Sequence, residues 1–389
     1  MNRARKLIRR LSQLKWGFRA CSSSVCWFVG PPSFSLREAS IVSYGVLNGY
    51  RGLMSGTVVL TNLAGSTTLR KFDPAGSPIG SFGSNGVSSV GNTIPDYGRI
   101  RFVLDDSENL YLYDPSSRAV ARVNSSTGAL DTGFGGTGSV PLPKNFELIG
   151  MVPVGNDLWL SGSFSEKNEL GQSISLFGLI KLKSTGVFDS SFGKEGMFEW
   201  PKPITEVPRQ DTWTHVSVQT DGSVLAFGTT GFAIRSVNPS TNREEYLTDL
   251  ALSVTRLLPN GQVDTAFGTN GSTSVGVLGV KTAILLTGVK GFISNGKIQL
   301  VQQPQVLPNE SATPLIVVTV STSGVLEKIT RATYDPAIVD LGGASYRDET
   351  KVWNFEALPD GSLFTVGPIC SVVTGTLCQQ NIGFSHFNP

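Results

Sequence analysis

The chain has 389 residues, 40% hydrophobic and only 16% charged, with 44 glycines and 21 prolines. Soluble domains average about 25% charged residues, so this composition excludes a coiled coil, a collagen and a charge-driven disordered chain, and fits many short strands joined by tight turns. The net charge of +2 hides an asymmetry: residues 1–19 hold seven basic groups and no acid, leaving 25 basic against 30 acidic side chains over residues 20–389, a poor match for nucleic acid, whose binding rests on Lys and Arg neutralising phosphates.

Residues 1–33 read as a basic leader and residues 34–389 as one domain. In the leader Leu7, Leu11 and Leu14 recur at helical spacing among basic residues, which gives a short amphipathic helix. Three readings stand side by side: the positive start of an export signal, an arm for a membrane surface or RNA, and a passive leader. The apolar run Val25-Cys26-Trp27-Phe28-Val29 stops at Gly30-Pro31-Pro32 and is short for a signal. Arg19 disqualifies a lipoprotein signal before Cys21. No stretch reaches about 18 uninterrupted apolar residues, so no transmembrane anchor is expected.

From residue 50 onward the chain repeats itself. The phrase Gly-x-x-Asp-x-x-Phe-Gly-x-x-Gly is complete at Gly128-Asp131-Phe134-Gly135-Gly138, Gly186-Asp189-Phe192-Gly193-Gly196 and Gly261-Asp264-Phe267-Gly268-Gly271. A copy at Gly76-Ile79-Phe82-Gly83-Gly86 lacks only the Asp, and a fifth is reduced to Gly324-Val325-Leu326-Glu327. Upstream of each lies a turn between two apolar runs, as at Asp221-Gly222, Asn295-Gly296 and Asp360-Gly361, which supplies the positive φ that tight hairpins need. Six such turns occur, at about residues 54–58, 108–111, 155–159, 220–224, 294–298 and 359–363. A third strand with period-two alternation leads into each Gly-x-x-Asp turn (residues 119–123, 177–182 and 252–257), and a short fourth follows it (272–275). Four strands per fifty to seventy residues is the pattern of β-propeller blades.

This phrase, with an Asp-Gly hairpin upstream and an aliphatic-basic-aliphatic strand between, resembles the bacterial delta-60 repeat over roughly residues 50–389. The resemblance implies a β-propeller-like fold and a secreted or surface protein of bacteria, and it supplies no catalytic residues. The fold expected is all-β: a propeller of four-stranded blades, six in number with seven as the alternative. The last unit stops at Pro389, before its turn and fourth strand. Residues 34–47, with the β-prone run Ile41-Val42-Ser43-Tyr44, are therefore expected to pair beside Gly383–Phe387 and close the ring.

In such blades the first-to-second and third-to-fourth turns share one face, and their uniformity reads as structure. The opposite face varies. Its second-to-third loops are short in units one and two, and long in units three (163–176), four (229–251) and five (302–315); two blade connections, 201–212 and 335–351, are also long. Insertions gathered on one face mark a binding surface. The binding residues expected there are Arg209, Asp211, Trp213, Arg235, Arg243, Tyr346 and Arg347, with Asp348 beside them; as ordinary solvated loop residues they would bind nothing.

The sequence shows little chemistry. Its two histidines, His215 and His386, sit in strand-like alternation without ligand partners at metal spacing. No cofactor or metal site is expected, and Asp105-Asp106-Ser107-Glu108-Asn109 lacks the turn glycine of a calcium loop. Adjacent acids such as Glu244-Glu245 are the sole hint of glycoside chemistry. Cys370 and Cys378 flank a short loop, where a disulfide and two thiols are equal readings; a disulfide would indicate an oxidising compartment. The function expected is non-enzymatic binding of a protein or glycan by a secreted, periplasmic or cell-surface monomer. The alternatives are a carbohydrate-active propeller enzyme and a purely structural module.

Overall fold

The computed structural model describes residues 46–53, 56–63, 66–73, 77–89, 101–105, 107–115, 117–167, 171, 173–200, 211–238, 243–276, 289–302, 314–333, 337–339, 354–357, 363–373 and 377–387. Every regular element among them is a β-strand, and the strands form six four-stranded antiparallel sheets. Two compact units emerge: residues 1–141 with 340–346 and 373–380, and residues 142–339 with 347–372 and 381–389.

The first unit holds sheet one, β1 (Val46–Leu53), β2 (Gly56–Leu63), β3 (Ser66–Phe72) and β4 (Val87–Ser89), and sheet two, β5 (Arg101–Leu104), β6 (Leu110–Asp114), β7 (Ala119–Val123) and β8 (Ser139–Pro141). The second unit holds sheet three, β9 (Phe146–Val154), β10 (Asp157–Lys167), β11 (Ser173–Leu182) and β12 (Met197–Glu199), and sheet four, β13 (Thr212–Val218), β14 (Val224–Asn238), β15 (Arg243–Leu257) and β16 (Ser272–Gly276). Sheet five comprises β17 (Lys290–Ser294), β18 (Lys297–Gln302), β19 (Pro314–Val320) and β20 (Leu326–Thr333). These five sheets are simple meanders. The sixth runs β21 (Ala337–Val339), β24 (Leu377–Phe387), β23 (Leu363–Val373), β22 (Asn354–Ala357).

Turn chemistry sets the hairpins. Between β17 and β18, Ser294 faces Lys297 across Asn295 and Gly296, both at positive φ (49° and 70°), the two-residue turn whose twist matches that of the strands. The Gly-x-x-Asp phrase builds the reversal from strand three to strand four. The amides of Asp131, Asp189 and Asp264 donate to the carbonyls of Arg122, Lys181 and Arg256, and each carboxylate accepts the amide two residues on, from Gly133, Ser191 and Ala266.

The phrase also joins neighbouring sheets within each unit. The amide of Gly83 donates to Thr127 O at 2.7 Å, that of Gly193 to Asn260 O and that of Gly268 to Ser323 O, each at 2.9 Å. In every case the acceptor immediately precedes the first glycine of the next copy. The Phe before the donor is buried between the two sheets so tied. Phe82 lies with Val58 and Leu69 of sheet one and Leu110 and Leu112 of sheet two. Phe192 lies with Leu179 and Trp213, and Phe267 with Leu252, Ile298 and Val318. All three are fully buried.

Two expectations are corrected here. The strand beside Gly383 comes from β21, not from residues 34–47: Ile338 pairs with Gly383 and Ala337 with Phe384. Ala337-Ile338-Val339 follows the fifth unit directly, so bringing it to β24 closes a shorter loop than one spanning the whole chain. Val46 and Leu47 instead begin β1, opposite Asn62 and Thr61, and residues 34–45 lie outside the described residues. The long second-to-third loops of units three and four are likewise strand, taken up in β10–β11 and β14–β15.

At Gly128, Gly261 and Gly324 the first glycine of the copy carries a double demand. A Cβ on Gly261 would stand 2.6 Å from Gly193 N at a φ of +84°, while one on Gly136, at +77°, meets open space. Gly136→Ala therefore costs only the left-handed strain, about 1–3 kcal/mol, and Gly261→Ala costs markedly more because it also pushes two sheets apart. Urea unfolding midpoints of the two variants test the difference; equal losses would leave the close approach without weight.

Candidate binding face

At the end of each sheet opposite the Gly-x-x-Asp turns lies the hairpin between strands two and three. In the first unit these hairpins stop where the sheet stops. β2 pairs with β3 from Thr57–Phe72 to Leu63–Ser66, and β6 with β7 from Leu110–Val123 to Asp114–Ala119. In sheet four, among the described residues, the hairpin outruns its neighbours. β13 last meets β14 at Thr229, and β16 last meets β15 at Ala251, yet the β14–β15 ladder continues through eight further pairs, from Gly231–Leu250 to Asn238–Arg243. In sheet three the overhang beyond β9 is shorter, from Ser165–Ser175 to Lys167–Ser173. β23 and β24 also extend past their partners β22 and β21, which reach Val366 and Ile382.

Strand alternation sorts the sheet-four ribbon into two faces. Phe232, Ile234, Ser236 and Asn238 share one face with Asp249, Leu247, Glu245 and Arg243; Ala233, Arg235 and Val237 share the other with Thr248, Tyr246 and Glu244. Arg235 stands directly opposite Tyr246, and Arg243 opposite Asn238 at the tip. Of the residues expected from sequence, these two arginines fall on this one ribbon, at register positions on its opposite faces.

Asp211 and Trp213 have a different role. Asp211 is 1% exposed; its Oδ1 accepts Thr230 Oγ1 at 2.7 Å and the Gly231 amide at 3.2 Å, and its own amide donates to Ser175 O. It fastens the ribbon at the point where β14 leaves β13. Trp213 is fully buried, stacked on Phe177 at 4.7 Å and on Phe198 at 5.6 Å, with Trp200 edge-on at 6.3 Å. Both side chains support the face from below and have no surface to offer a ligand. Arg209, Tyr346, Arg347 and Asp348 lie outside the described residues. Cys370 and Cys378 fall on neighbouring strands β23 and β24, their side chains outside the described residues.

His215 on β13 stacks at 6.2 Å on Phe227. Burial, reinforced by the Lys290 ammonium, pushes its imidazole down to about 4. Asp105, in the loop that failed as a calcium site by sequence, spends its carboxylate internally, accepting from the Ser107 and Asn109 amides, Asn109 Nδ2 and the Tyr111 hydroxyl. Among the described residues no group of three or more His, Cys, Asp or Glu is placed to hold a metal ion, and no helix is long and apolar enough to cross a membrane.

No family model and no curated protein matches the chain. Solved structures do, at low similarity. An endo-arabinase from Bacteroides thetaiotaomicron aligns with 8% identity and a TM-score of 0.35 over 73% of this chain and 92% of its own. Virginiamycin B lyase from Staphylococcus aureus gives 10% and 0.33 over 88% and 96%. An exo-1,5-alpha-L-arabinanase from a bovine ruminal metagenomic library gives 8% and 0.28 over 87% and 96%. Their activities do not transfer to this chain at such scores.

Two outcomes follow. Trp213→Ala empties the aromatic stack and costs about 3–5 kcal/mol of stability, seen as a large drop in melting temperature; a well-folded variant of unchanged Tm would return Trp213 to the surface. For His215 the folded pKa lies below the unfolded value of about 6.5. The unfolded chain therefore takes up the proton first. The stability that neutral His215 contributes, of the order of 3 kcal/mol, is complete above pH 6.5 and lost as pH falls toward 4. The decline of Tm across that window should flatten in His215→Gln; parallel profiles would contradict the assignment.

Proposed function

We propose that this chain is a β-propeller-type repeat protein of the delta-60 kind, exported from the cell, that binds a protein or glycan without transforming it through the face bearing the extended hairpins. Each sheet is a propeller-blade meander or a close variant of one. The turn-to-turn bonds that recur from sheet to sheet are what a blade array needs.

One observation carries the binding reading: the eight ribbon pairs of β14–β15 beyond the sheet. A two-stranded ribbon is at best marginally stable in water, and among the described residues no third strand pairs with this one beyond Thr229 and Ala251. A ribbon that served only the fold would end at Thr229 and Ala251. Its register also sets an arginine against a tyrosine, Arg235 and Tyr246, two residue types enriched where proteins meet partners. Asp211 holds the base rigid, which lowers the ordering cost of binding.

Replacing residues 231–250 by Asn-Gly, joining Thr230 to Ala251 through a two-residue turn, isolates the ribbon. The shortened chain should melt within a few degrees of the parent and lose the binding that the parent shows on a printed oligosaccharide array or a panel of extended peptides. Equal binding by the two chains, or no binding by the parent, would overturn the reading.

A further inference from the structure

Asparagine followed by glycine occurs five times in the chain, at residues 48–49, 85–86, 260–261, 270–271 and 295–296. In such a pair the glycine nitrogen can attack the asparagine carboxamide, because glycine puts no Cβ in the path between them. Whether the nitrogen reaches that carbon depends on what holds it. Gly49 lies within the β1–β2 ladder, opposite Leu60. Gly86, Gly261 and Gly271 are buried, and their amides donate to Gly80 O at 3.0 Å, Leu258 O at 2.8 Å and Phe267 O at 2.8 Å. A Cβ on these three would stand 3.3, 2.6 and 2.1 Å from Ile79 O, Gly193 N and Val263 Cγ1, so the surrounding turns clasp them closely.

Gly296 differs in each respect. Asn295 and Gly296 are both exposed, nothing lies within 4 Å of the place a Gly296 Cβ would take, and the Gly296 amide donates to no group among the described residues. The pair makes up the whole turn between β17 and β18, with the Ser294–Lys297 ladder pair at its base. Glycine has the widest backbone freedom of any residue, which lets its nitrogen swing toward the Asn295 side chain.

We propose that Asn295 is a self-modification site, converted in the folded protein to aspartate and isoaspartate while the other four pairs persist. The Gly296 nitrogen, its proton taken by hydroxide, attacks Asn295 Cγ. An N–Cγ bond closes a cyclic succinimide as the Cγ–Nδ2 bond breaks, and the leaving nitrogen takes a proton from water and departs as ammonia. Water then opens the ring at either carbonyl. One opening gives aspartate; the other routes the main chain through Cγ as isoaspartate. That second product lengthens the turn by one carbon, and a two-residue hairpin, whose register is set by the length of its turn, has no slack to absorb it. Modification therefore loosens the β17–β18 end of sheet five.

Ageing the full chain at mildly alkaline pH tests this. Isoaspartate is measured by methyl transfer from S-adenosylmethionine with a protein isoaspartyl methyltransferase, and peptide mass mapping locates it. Label should appear at residue 295 well before residues 48, 85, 260 and 270, and sooner as pH rises, with the Tm of the aged chain below that of the fresh one. In concentrated urea, where the turns are lost, all five sites should be labelled at similar rates. Asn295→Gln should abolish the early label of the native chain and leave its Tm unchanged. An unlabelled native parent, another of the five sites labelled as fast as Asn295 before unfolding, or a preference for Asn295 that persists in urea would each overturn the proposal.

Discussion

The bond on which the architecture depends is a backbone one, from the Phe-Gly amide to the carbonyl just before the next repeat's first glycine, present in three of the four Phe-Gly copies among the described residues. It occurs as Gly83 to Thr127, Gly193 to Asn260 and Gly268 to Ser323. Because both partners are main-chain groups in turns, the bond fixes the separation of adjacent sheets at that end to the thickness of two backbones, and no Cβ fits between them. Outer-strand hydroxyls add to it: Ser88 donates to Gly128 O and Thr273 to Gly324 O. With that spacing set, the Phe side chain one residue earlier has one place to go, into the seam between sheets. This explains what survives in the fifth repeat. Ser323 O receives the bond from the fourth copy, and Gly324 beside it is retained because a Cβ there would run into the Gly268 backbone; the Asp and Phe, which would serve a junction further on, are gone.

The Asp of the phrase and the basic residue of strand three form a second, more forgiving layer. Arg122 pairs with Asp131 and Arg256 with Asp264, each at 2.7 Å, and each guanidinium lies over the Phe of its own turn, at 5.0 and 4.9 Å. In sheet three a lysine takes the place: Lys181 bridges Asp189 and Asp157 and lies 5.3 Å from the Trp159 ring centre. Burial works against the Asp189 charge, but hydrogen bonds from Lys181 and Ser191 outweigh it and hold the carboxyl well below the usual range. The first repeat dispenses with the acid altogether. Ile79 stands in its place, and the equivalent cation, Lys71, sends its Nζ to Ser125 O in the next sheet. Arg256 makes the corresponding reach to Thr322 O. Where the ion pair is dropped, the cation still ties sheet to sheet, which gives the alternating aliphatic-basic-aliphatic strand its recurring form.

The parts legible in the sequence are those that local chemistry dictates. A turn that needs positive φ and an internal acceptor can be written with few residues, so the repeats announced both the hairpins and the third strands; residues 119–123 are β7 to the residue. Burial decided by distant neighbours was not legible. Trp213 alternates with polar residues like any exposed strand aromatic, and only the rings of Phe177 and Phe198, far back in the chain, make it core. The ribbon of residues 230–250 carries Asn, Pro, Ser, Thr and charged residues in the proportions of a loop, and so lacks the sustained apolar alternation by which strands are recognised. β21 was hidden for a third reason. Three residues suffice to cover an edge, and three residues make no pattern.

These two layers also explain why one end of each sheet varies and the other does not. The turn-to-turn bonds and the cations that reinforce them all lie at the Gly-x-x-Asp end, so lengthening a turn there would displace a neighbouring sheet as well as its own. The second-to-third hairpins take part in none of these bonds, and their length is set only by the strands that flank them. Where such a hairpin outgrows its flanks, the transition itself needs chemistry. The Thr230 hydroxyl and the Gly231 amide lie just past the last described pairing of β14 with β13, at Thr229, and a buried donor left without an acceptor costs about 1–3 kcal/mol. Asp211 meets that need with a carboxylate that accepts both the Thr230 hydroxyl and the Gly231 amide. Although it reads in the sequence as one more polar loop residue, it lets a rigid frame carry a ribbon on which the frame does not depend.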